Sequence, residues 1–549
     1  MKHRHLVIAV FVTVLGAVLT LAFRGVGRQL PELFPNLARE RREVSLPLAL
    51  QQDDDVGDGT SSEPQTPQAA IPLKLSGELP NDDSSSGDSG DGSFSSARLK
   101  HAGRTGRRLV AATPIPRILG APRQISESFE VPPELEAIVN FWKKVYGVYD
   151  SDHVVLHDTD HLEIEYGVLD FSDLSRRGLS DSEKKSIRDS EISSATSRIK
   201  GILDELDHWE GVAPLSDEVR KISQLFRHIP DSDKFKKAKE AIRTQTGLKN
   251  RFEEGLRHSG RYMAYFEDIF QSYGLPKEIA RLPFVESLFR ERAMSKVGAA
   301  GLWQFMPDTA RRYMTVNNLV DERYDPLMAT HAAARLLLKN KELLGTWPLA
   351  INAYNSGPGN LLKAISALGT RDIGTIVTRF RSGSYAFASR NFFPSFLAAL
   401  DVAEHPEKYF GHVIKERPME FDLVELPGTM AFPEVAYYAG STMAEIQGLN
   451  PAFSPAVFQG DFSIPAGTQI RVPRGGQQLF ASRFIQHYTG AEASNFHVIQ
   501  NGENLPEIAA RYGLTPQDLQ RVNATEELRS GRVLMIPSLS SLVKNSLSE

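Results

Sequence analysis

Residues 281–289 read RLPFVESLF and place one carboxyl group, that of Glu286, among leucine, phenylalanine and valine side chains. A carboxyl group in such surroundings is poorly solvated, so its charged form is disfavoured and its pKa rises. A raised pKa keeps the proton available at neutral pH, as a general acid requires. The local pattern predicts a helix over 277–289, and on this stretch alone a glutamate on a helix surface is the competing interpretation.

Two downstream segments add further polar and aromatic groups. Residues 295–307 read SKVGAAGLWQFMP, and their small residues allow close backbone approach beside an aromatic ring and an amide. Residues 353–359 read AYNSGPG and place a tyrosine and an asparagine at a predicted helix end. An acid, an amide, a tyrosine and an aromatic ring are groups that sugar-binding clefts use. Each segment is common by itself, so only their combination is informative.

In this order and spacing, the segments resemble the catalytic domain of the soluble lytic transglycosylase family, which is similar to goose-type lysozyme. The stretch VDERYDP at 320–326 and the alanines at 332–334 are also typical of this family. The resemblance implies an all-α, lysozyme-like catalytic domain, which we expect over 256–410. It also implies cleavage of the β-1,4 bond between N-acetylmuramic acid and N-acetylglucosamine in peptidoglycan. Family members carry out this cleavage without water and leave 1,6-anhydromuramoyl ends.

The resemblance also assigns roles to individual residues. Glu286 matches the catalytic glutamate, which protonates the glycosidic oxygen and then acts as a base towards the C6 hydroxyl of muramic acid. Ser295, Gln304, Tyr354 and Asn355 match residues that line the substrate-binding cleft. Because the nucleophile belongs to the substrate, the second carboxylate of ordinary glycosidases is not required. No metal or other cofactor is expected.

One segment departs from the family pattern. Relatives often carry a Glu-Thr-Arg-x-Tyr-like segment after the cleft motifs, whereas this chain has ASRNFFP at 388–394. Ala388 stands in place of the glutamate, and Phe392 lacks the tyrosine hydroxyl. We expect this departure to affect substrate orientation and rate more than proton transfer at Glu286. We also expect Tyr354 to supply the remaining hydroxyl contact.

The C-terminal segment 494–538 has the pattern of a small separate module. Two strand-like runs flank two short helices, which begin at the predicted N-caps Asn504 and Thr515. This strand–helix–helix–strand order resembles a LysM (lysin-motif) domain and implies binding to peptidoglycan glycan strands. A degenerate copy of the same order is predicted over 416–476.

The N-terminus predicts export. A basic cap precedes the uncharged apolar run 6–23, which is long for a signal-peptide core and just long enough to span a bilayer. We therefore expect a signal peptide or membrane anchor over 1–24, and we favour the anchor, in the inner membrane. The acidic and serine-rich composition of 25–127 predicts a disordered linker, because it offers few apolar residues to offset ordering entropy.

Helical periodicity predicts a helical N-terminal module over 128–255, with one short strand at 162–166. Within this module His153, His157 and His161 are spaced by four residues among several aspartates. A metal site is one reading of this spacing. The apolar residues between the histidines favour a strand or turn instead, which would break the helical geometry that such a site needs.

Composition limits the remaining classes. The chain has 549 residues, enough for several domains, and 63 basic against 68 acidic residues give a formal net charge of -5, which argues against a nucleic-acid binder. The chain has no cysteine, so disulfides, cysteine nucleophiles and thiolate metal sites are excluded. We predict a multidomain α+β protein of the cell envelope and periplasm, whose partners are peptidoglycan and the bacterial membrane.

Two alternatives remain open at this point. A hydrolytic muramidase would need a second carboxylate to activate water, and Glu291, Glu322 and Asp325 are candidates. A non-catalytic peptidoglycan-binding scaffold is the other alternative, and the substitutions at Ala388 and Phe392 motivate it. The reducing or anhydro end of the product distinguishes the two enzymes, and an activity assay tests the scaffold.

Overall fold

The computed structural model describes residues 129–211, 214–487, 495–523 and 528–537. The predicted segments 1–24 and 25–127 lie outside these residues. No helix in the described ranges is both long and apolar enough to cross a bilayer. Contacts divide the chain into two compact units. Among the described residues, the first unit comprises 129–421 and 444–463, and the second comprises 422–443 and 464–537.

The first unit is mostly helical. Up to residue 410 its helices are α1 (Glu136–Gly147), α2 (Asp181–Asp207), α3 (Asp217–Leu225), α4 (Lys234–Glu240), α5 (Lys249–Ser259), α6 (Met263–Ser272), α7 (Pro283–Glu286), α8 (Pro307–Ala310), α9 (Pro326–Leu344), α10 (Trp347–Ser356), α11 (Pro358–Leu368), α12 (Ile373–Arg379), α13 (Phe387–Glu404) and α14 (Pro406–Phe410). Short 3-10 helices cover Pro133–Leu135, Leu174–Arg176, Lys277–Arg281 and Glu322–Tyr324. Its strands are β1 (His153–Asp158), β2 (Glu165–Asp170) and β3 (Ile242–Thr246).

The later elements follow the same chain order. They are β4 (Phe421–Glu425), α15 (Phe432–Ala439), α16 (Met443–Leu449), α17 (Pro455–Phe458), β5 (Gln469–Pro473), α18 (Gly476–His487), β6 (Asn495–Val498), α19 (Leu505–Arg511), α20 (Pro516–Val522) and β7 (Val533–Ile536). β4 and β5 form one two-stranded sheet, and β6 and β7 form another. Residues 421–473 therefore contain the strand–helix–helix–strand order predicted for the degenerate LysM-like module, but with an additional short helix, α17, and with 444–463 assigned to the first unit. That this segment is such a module stays a prediction.

One hydrophobic core runs through most of the first unit. Along the chain, the residues of this core range from Leu135 and Trp142 to Met419. Apolar residues recur every three or four positions along α1, so that one face of this helix packs against α13. The buried Trp142 Nε1 also donates a hydrogen bond to Asn391 Oδ1, at 2.9 Å. Side chains from the ranges predicted as 128–255 and 256–410 thus pack in the same core.

The N-terminal module contains more strand than the sequence predicted. β1, β2 and β3 form a three-stranded antiparallel sheet in the order β2-β1-β3. The sequence predicted a short strand at 162–166 and favoured a strand or turn along the histidine stretch; β1 covers part of that stretch, β2 begins only at Glu165, and β3 was not expected. Val155 of β1 pairs with Val168 on one side and with Gln245 on the other. The β-branched run in β1 suits a buried central strand. Its partner β3 lies far along the chain, beyond the reach of local periodicity.

The predicted LysM fold over 494–538 is confirmed. Its strands β6 and β7 pair antiparallel, and the two helices between them begin at the predicted N-caps. The Asn504 side chain accepts a hydrogen bond from Glu507 N at 3.0 Å, and Thr515 forms a full capping box with Asp518. Side chains from both helices and from β7 close a small core, which includes Ile508, Leu519 and Ile536. The module is specified mainly by signals close together in sequence.

Candidate active site

Glu286 ends a single helical turn. Pro283 starts α7, and Glu286 is its last residue. The helix predicted over 277–289 is a 3-10 helix at Lys277–Arg281 followed by α7, and the prediction is wrong at its last three residues, because Leu288 and Phe289 adopt left-handed φ angles of 52° and 57°. A helix interior does not accommodate such angles. The chain reverses directly after Glu286, so the carboxyl group lies at a turn and not in the middle of a helix.

The Glu286 side chain is nearly inaccessible to solvent, at 3% exposure. Burial raises its pKa well above the usual value, since the charged form loses its hydration. The following residue fixes its position: Ser287 Oγ donates to Leu302 O at 2.9 Å. The backbone that carries the carboxyl group is thereby attached to the loop 295–305.

This loop is folded tightly on itself. Ser295 Oγ accepts a hydrogen bond from Ala299 N at 2.9 Å, and the backbones of Ala300 and Phe305 exchange two bonds of 3.2 Å. Gly301 adopts a φ of 77°, and a β-carbon at this position would lie 1.8 Å from Arg323 O. Only glycine therefore fits at 301 without displacing the backbone.

Arg323 supports the same loop from the 320–326 segment. Its Nη1 donates to Gly298 O at 2.8 Å and to Phe305 O at 3.1 Å. Its Nε and Nη2 donate to the carboxylate of Asp321, at 2.9 and 2.8 Å. The arginine is only 8% exposed. The family-typical stretch around it thus has a structural role, which the sequence alone did not assign.

Gln304 is strained and incompletely paired. Its φ angle is 46°, and its Nε2 donates to Ala293 O at 3.2 Å and to Gly301 O at 2.8 Å. Its Oε1 is buried and has no hydrogen-bond partner among the described residues. Buried polar atoms are rarely left unpaired, and backbone strain clusters at functional sites. Gln304 therefore offers an acceptor that no described protein group uses.

Tyr354 reaches the same region from α10. Its hydroxyl donates to Trp303 O at 2.9 Å. Burial raises its pKa well above the usual value, and the charge of Glu286 raises this pKa further, so the phenol lies within electrostatic range of the acid. The neighbouring Asn355 Oδ1 accepts a weaker bond from Ser389 Oγ at 3.4 Å.

Trp303 is not a sugar-stacking platform. Its ring is fully buried and packs near Phe266 and Phe270 in the core. Its Nε1 donates to Thr330 Oγ1 at 2.8 Å. The aromatic residue of the GLWQ stretch therefore stabilises the domain, while the next residue, Gln304, carries the unpaired group.

The candidate second carboxylates are all engaged in local structure. Glu291 accepts hydrogen bonds from the Tyr262 hydroxyl and from Arg261. Glu322 Oε2 accepts from Thr315 N at 2.6 Å. Asp325 Oδ1 caps α9 by accepting from the first two free backbone N–H groups of that helix, each at 3.0 Å. Each of these three carboxylates therefore accepts hydrogen bonds that stabilise the local fold.

The departure segment lies inside the protein, and it has a neighbour that the sequence analysis missed. Phe392 is fully buried, and Ala388 is 6% exposed. Tyr146, on α1, is also fully buried. Burial raises the Tyr146 pKa, a hydrogen bond with the Ser395 side chain lowers it, and the charge of Glu286 raises it to a smaller extent. The only sequence signal for Tyr146 was its place on the apolar face of α1.

The spaced histidines of the N-terminal module do not converge. His153 pairs with Asp150 at 2.6 Å. His157 is buried in β1 against Phe141, and its burial lowers its pKa to about 4. His161 lies beyond the strand, in the turn that leads to β2. The reading of these three histidines as one metal site is therefore wrong, because a strand carries the first two.

Comparisons with known proteins agree with this arrangement. Residues 265–377 match the Transglycosylase SLT domain, and residues 497–537 match the LysM domain. The predicted combination of a soluble-lytic-transglycosylase domain and a LysM domain is thus confirmed. The first match contains Glu286, Ser295, Gln304, Tyr354 and Asn355.

A longer similarity connects this chain with a particular protein. This chain is 27% identical over 355 residues to membrane-bound lytic murein transglycosylase D of Escherichia coli strain K12. The aligned region covers 61% of this chain and 76% of that protein. The protein of the same name from Escherichia coli O6:H1 gives the same values. A solved structure of an inactive mutant of the lytic transglycosylase Slt from Pseudomonas aeruginosa has 20% identity and a TM-score of 0.22, over 36% of this chain and 29% of that one.

Proposed function

We infer that this protein is a peptidoglycan lytic transglycosylase, which cleaves the β-1,4 bond between N-acetylmuramic acid and N-acetylglucosamine without water. The observation that carries this inference is the buried carboxyl group of Glu286, whose pKa is raised and which lies at the turn that joins α7 to the strained loop. The SLT domain match and the similarity to a lytic murein transglycosylase support it.

Glu286 acts in both steps of the reaction. In its protonated form it donates a proton to the glycosidic oxygen as the bond to the anomeric carbon breaks. The resulting carboxylate then removes the proton from the C6 hydroxyl of the muramic acid residue. That oxygen bonds to the anomeric carbon, which closes the 1,6-anhydro ring and regenerates the acid. The buried, poorly hydrated site suits a reaction from which water must be kept away.

The surrounding residues position the substrate. Gln304 contributes its unpaired Oε1 as an acceptor for a sugar hydroxyl. Ser295 stabilises the loop through its hydrogen bond with Ala299 N, and Asn355 joins the end of α10 to Ser389 of α13. Tyr354 orients the backbone at Trp303 through its hydroxyl, beside the acid.

A hydrolytic mechanism is less well supported. It requires a second carboxylate that activates water, and the candidates Glu291, Glu322 and Asp325 are each held by structural hydrogen bonds. A non-catalytic scaffold would have no need of a buried, protonated glutamate. Burying a carboxyl group reduces stability when the group ionises, and a scaffold would gain nothing in return.

The LysM module binds glycan chains and raises the local concentration of substrate. The protein works in the cell envelope, on the outer side of the inner membrane. The apolar segment 6–23 anchors it there, and the linker 25–127 gives the catalytic unit reach towards the peptidoglycan.

The direct test compares release of soluble muropeptides from purified peptidoglycan by the wild type and by Glu286→Gln. Glutamine keeps the size but cannot donate a proton to the leaving oxygen, so we expect a loss of at least about 10²–10⁴-fold. Glu322→Gln is the matched control, because glutamine at 322 still accepts a hydrogen bond from Thr315 N. Activity of Glu286→Gln within a factor of a few of the wild type would exclude the proposed role, provided that both variants melt like the wild type.

The raised pKa of Glu286 also sets the pH dependence. The first step needs the protonated acid, so turnover on isolated glycan strands should fall as the pH rises through this pKa. Turnover that does not fall at any pH at which the fold is intact, as shown by an unchanged melting curve, would contradict an acid of this kind.

A further inference from the structure

Two histidines and a glutamate meet on the N-terminal module, away from the proposed catalytic residues. His161 lies in the turn between β1 and β2, Glu163 follows it, and His228 lies in the segment after α3. One potential ligand atom from each residue lies within 4.8 Å of those of the other two. His161 Nδ1 is 3.3 Å, and His228 Nε2 is 3.0 Å, from the same oxygen, Glu163 Oε1.

From this geometry we propose that His161, Glu163 and His228 form a binding site for a divalent ion of the zinc type. Two imidazoles and one carboxylate are a known ligand set for Zn²⁺, whereas Ca²⁺ and Mg²⁺ prefer oxygen ligands throughout. In a tetrahedral zinc site with bonds of about 2.0–2.1 Å, neighbouring ligand atoms are about 3.3–3.4 Å apart. The two measured spacings to Glu163 Oε1 are already close to this value, so small side-chain rotations suffice.

The surroundings of the cluster suit a cation. Asp158 lies at the end of β1, and its Oδ1 accepts hydrogen bonds from the backbone N–H groups of Asp160 and His161, at 2.8 and 2.9 Å. These bonds fix the turn that carries His161, and Asp158 adds negative charge beside it, whereas Asp160 is ion-paired with Arg390 and Arg381. The side chains of His161, Glu163 and His228 are 43%, 36% and 53% exposed, so an ion can enter from solvent and keep water at its fourth position.

The bound ion would join two segments that are distant in sequence. His161 and Glu163 belong to the β1–β2 connection, and His228 belongs to the segment between α3 and α4. The β1–β2 connection also contacts the predicted catalytic domain, because Asp160 Oδ1 accepts a hydrogen bond from Arg390 Nη1 of α13 at 2.6 Å. The ion would therefore act as a structural clamp on the turn that contacts α13. This role is independent of the proposed glycan cleavage.

The test uses the full-length protein without a histidine tag, treated with a chelator and then dialysed. Titration calorimetry with Zn²⁺ should give one ion per chain, and Co²⁺ should give the absorption bands of a tetrahedral complex. We expect His228→Ala and Glu163→Gln each to weaken Zn²⁺ binding by at least about 100-fold, beyond the loss from disturbing an outer partner of a metal ligand. Zn²⁺ should raise the melting temperature of the wild type but not that of either variant.

His153→Ala is the matched control, since His153 also pairs with an acidic residue in the same module but lies outside the cluster. It should bind Zn²⁺ like the wild type. The proposal is overturned if the wild type shows no saturable binding, which would leave the cluster a hydrogen-bonded network. It is also overturned if the cluster variants bind as tightly as the wild type, or if His153→Ala loses affinity to the same extent as they do.

Discussion

Gln304 in the catalytic loop and Asn523 in the LysM module are both buried amides, but only Asn523 is fully paired. Asn523 Nδ2 donates to Leu519 O and Met535 O, and its Oδ1 accepts from Met535 N, each at 2.9 Å. Gln304 Nε2 also donates to two carbonyl groups, yet its Oε1 has no partner among the described residues. Leaving such an acceptor unpaired costs about 1–3 kcal/mol. The Asn523 amide therefore stabilises the LysM module, whereas the Gln304 amide leaves an acceptor available to a ligand.

The backbones of the two regions differ in the same way. In the LysM module, the N-caps Asn504 and Thr515 satisfy the exposed ends of both helices. Around the acid, Leu288, Phe289 and Gln304 are the non-glycine residues with positive φ in the described part of the chain. Strain of this kind persists only where the surrounding structure imposes it. The helices of the LysM module are thus stabilised by capping residues close to them in sequence. The conformation of the catalytic loop instead depends on tertiary contacts with the rest of the first unit.

The largest effect is expected from Gly301→Ala. The added β-carbon would meet Arg323 O at 1.8 Å, at a φ of 77°. Strain from the backbone angle alone costs about 1–3 kcal/mol, and the clash adds to it. We expect the first unit to lose at least about 3 kcal/mol of unfolding free energy, and cleavage to be lost.

Gly298→Ala is the control for this variant, because its φ is 88° but its added β-carbon would meet no atom within 4 Å. It should cost only about 1–2 kcal/mol. Denaturant unfolding of both variants measures the difference. Equal losses would show that the contact with Arg323 has no role in holding the loop.

Asn523→Ala should give the next largest effect, confined to the LysM module. It removes three hydrogen bonds and leaves buried backbone groups unpaired, which costs about 2–3 kcal/mol. Binding to peptidoglycan sacculi should weaken, while turnover of short soluble glycans stays unchanged. Gln520→Ala, at an exposed amide on the same helix, is the control. Loss of soluble-glycan turnover in Asn523→Ala would contradict the separation of the two roles.

Gln304→Ala should lower glycan turnover while leaving stability nearly unchanged, and its effects should be smaller than those of Asn523→Ala. The variant loses two donor bonds but also removes an unpaired acceptor, so its stability should change by less than about 1 kcal/mol. Losing one neutral hydrogen bond to the substrate costs about 0.5–1.5 kcal/mol, which is roughly a 2–13-fold fall in kcat/KM. Kinetics on isolated glycan strands, with a melting curve for each variant, measure both quantities. A large stability loss with unchanged kinetics would assign Gln304 a purely structural role.

Features predicted from the sequence are those with local causes. The caps at Asn504 and Thr515 were read from residues within one helical turn. The burial of Glu286 was suggested by its own neighbours, and most helices of the catalytic domain by their periodicity. The reversal at Leu288 and Phe289 was not predictable, since apolar residues there continue a helical pattern and only tertiary packing imposes left-handed angles.

Long-range partners were missed for the same reason. Tyr146 comes from α1, and its burial in the core depends on the packing of α1 on α13. His228 joins His161 across more than one helix, whereas the sequence pattern had grouped His161 with His153. No spacing rule connects such residues, because the fold and not the chain places them together.

The central claim is that Glu286 alone drives cleavage without water, and the identity of the product ends tests it most directly. Isolated glycan strands should be digested in ¹⁸O-labelled water, and the released fragments analysed by mass spectrometry. The account predicts 1,6-anhydromuramoyl ends that carry no label, and no fragments from Glu286→Gln. Reducing ends that carry ¹⁸O would contradict it, since they would require water activated by a second carboxylate.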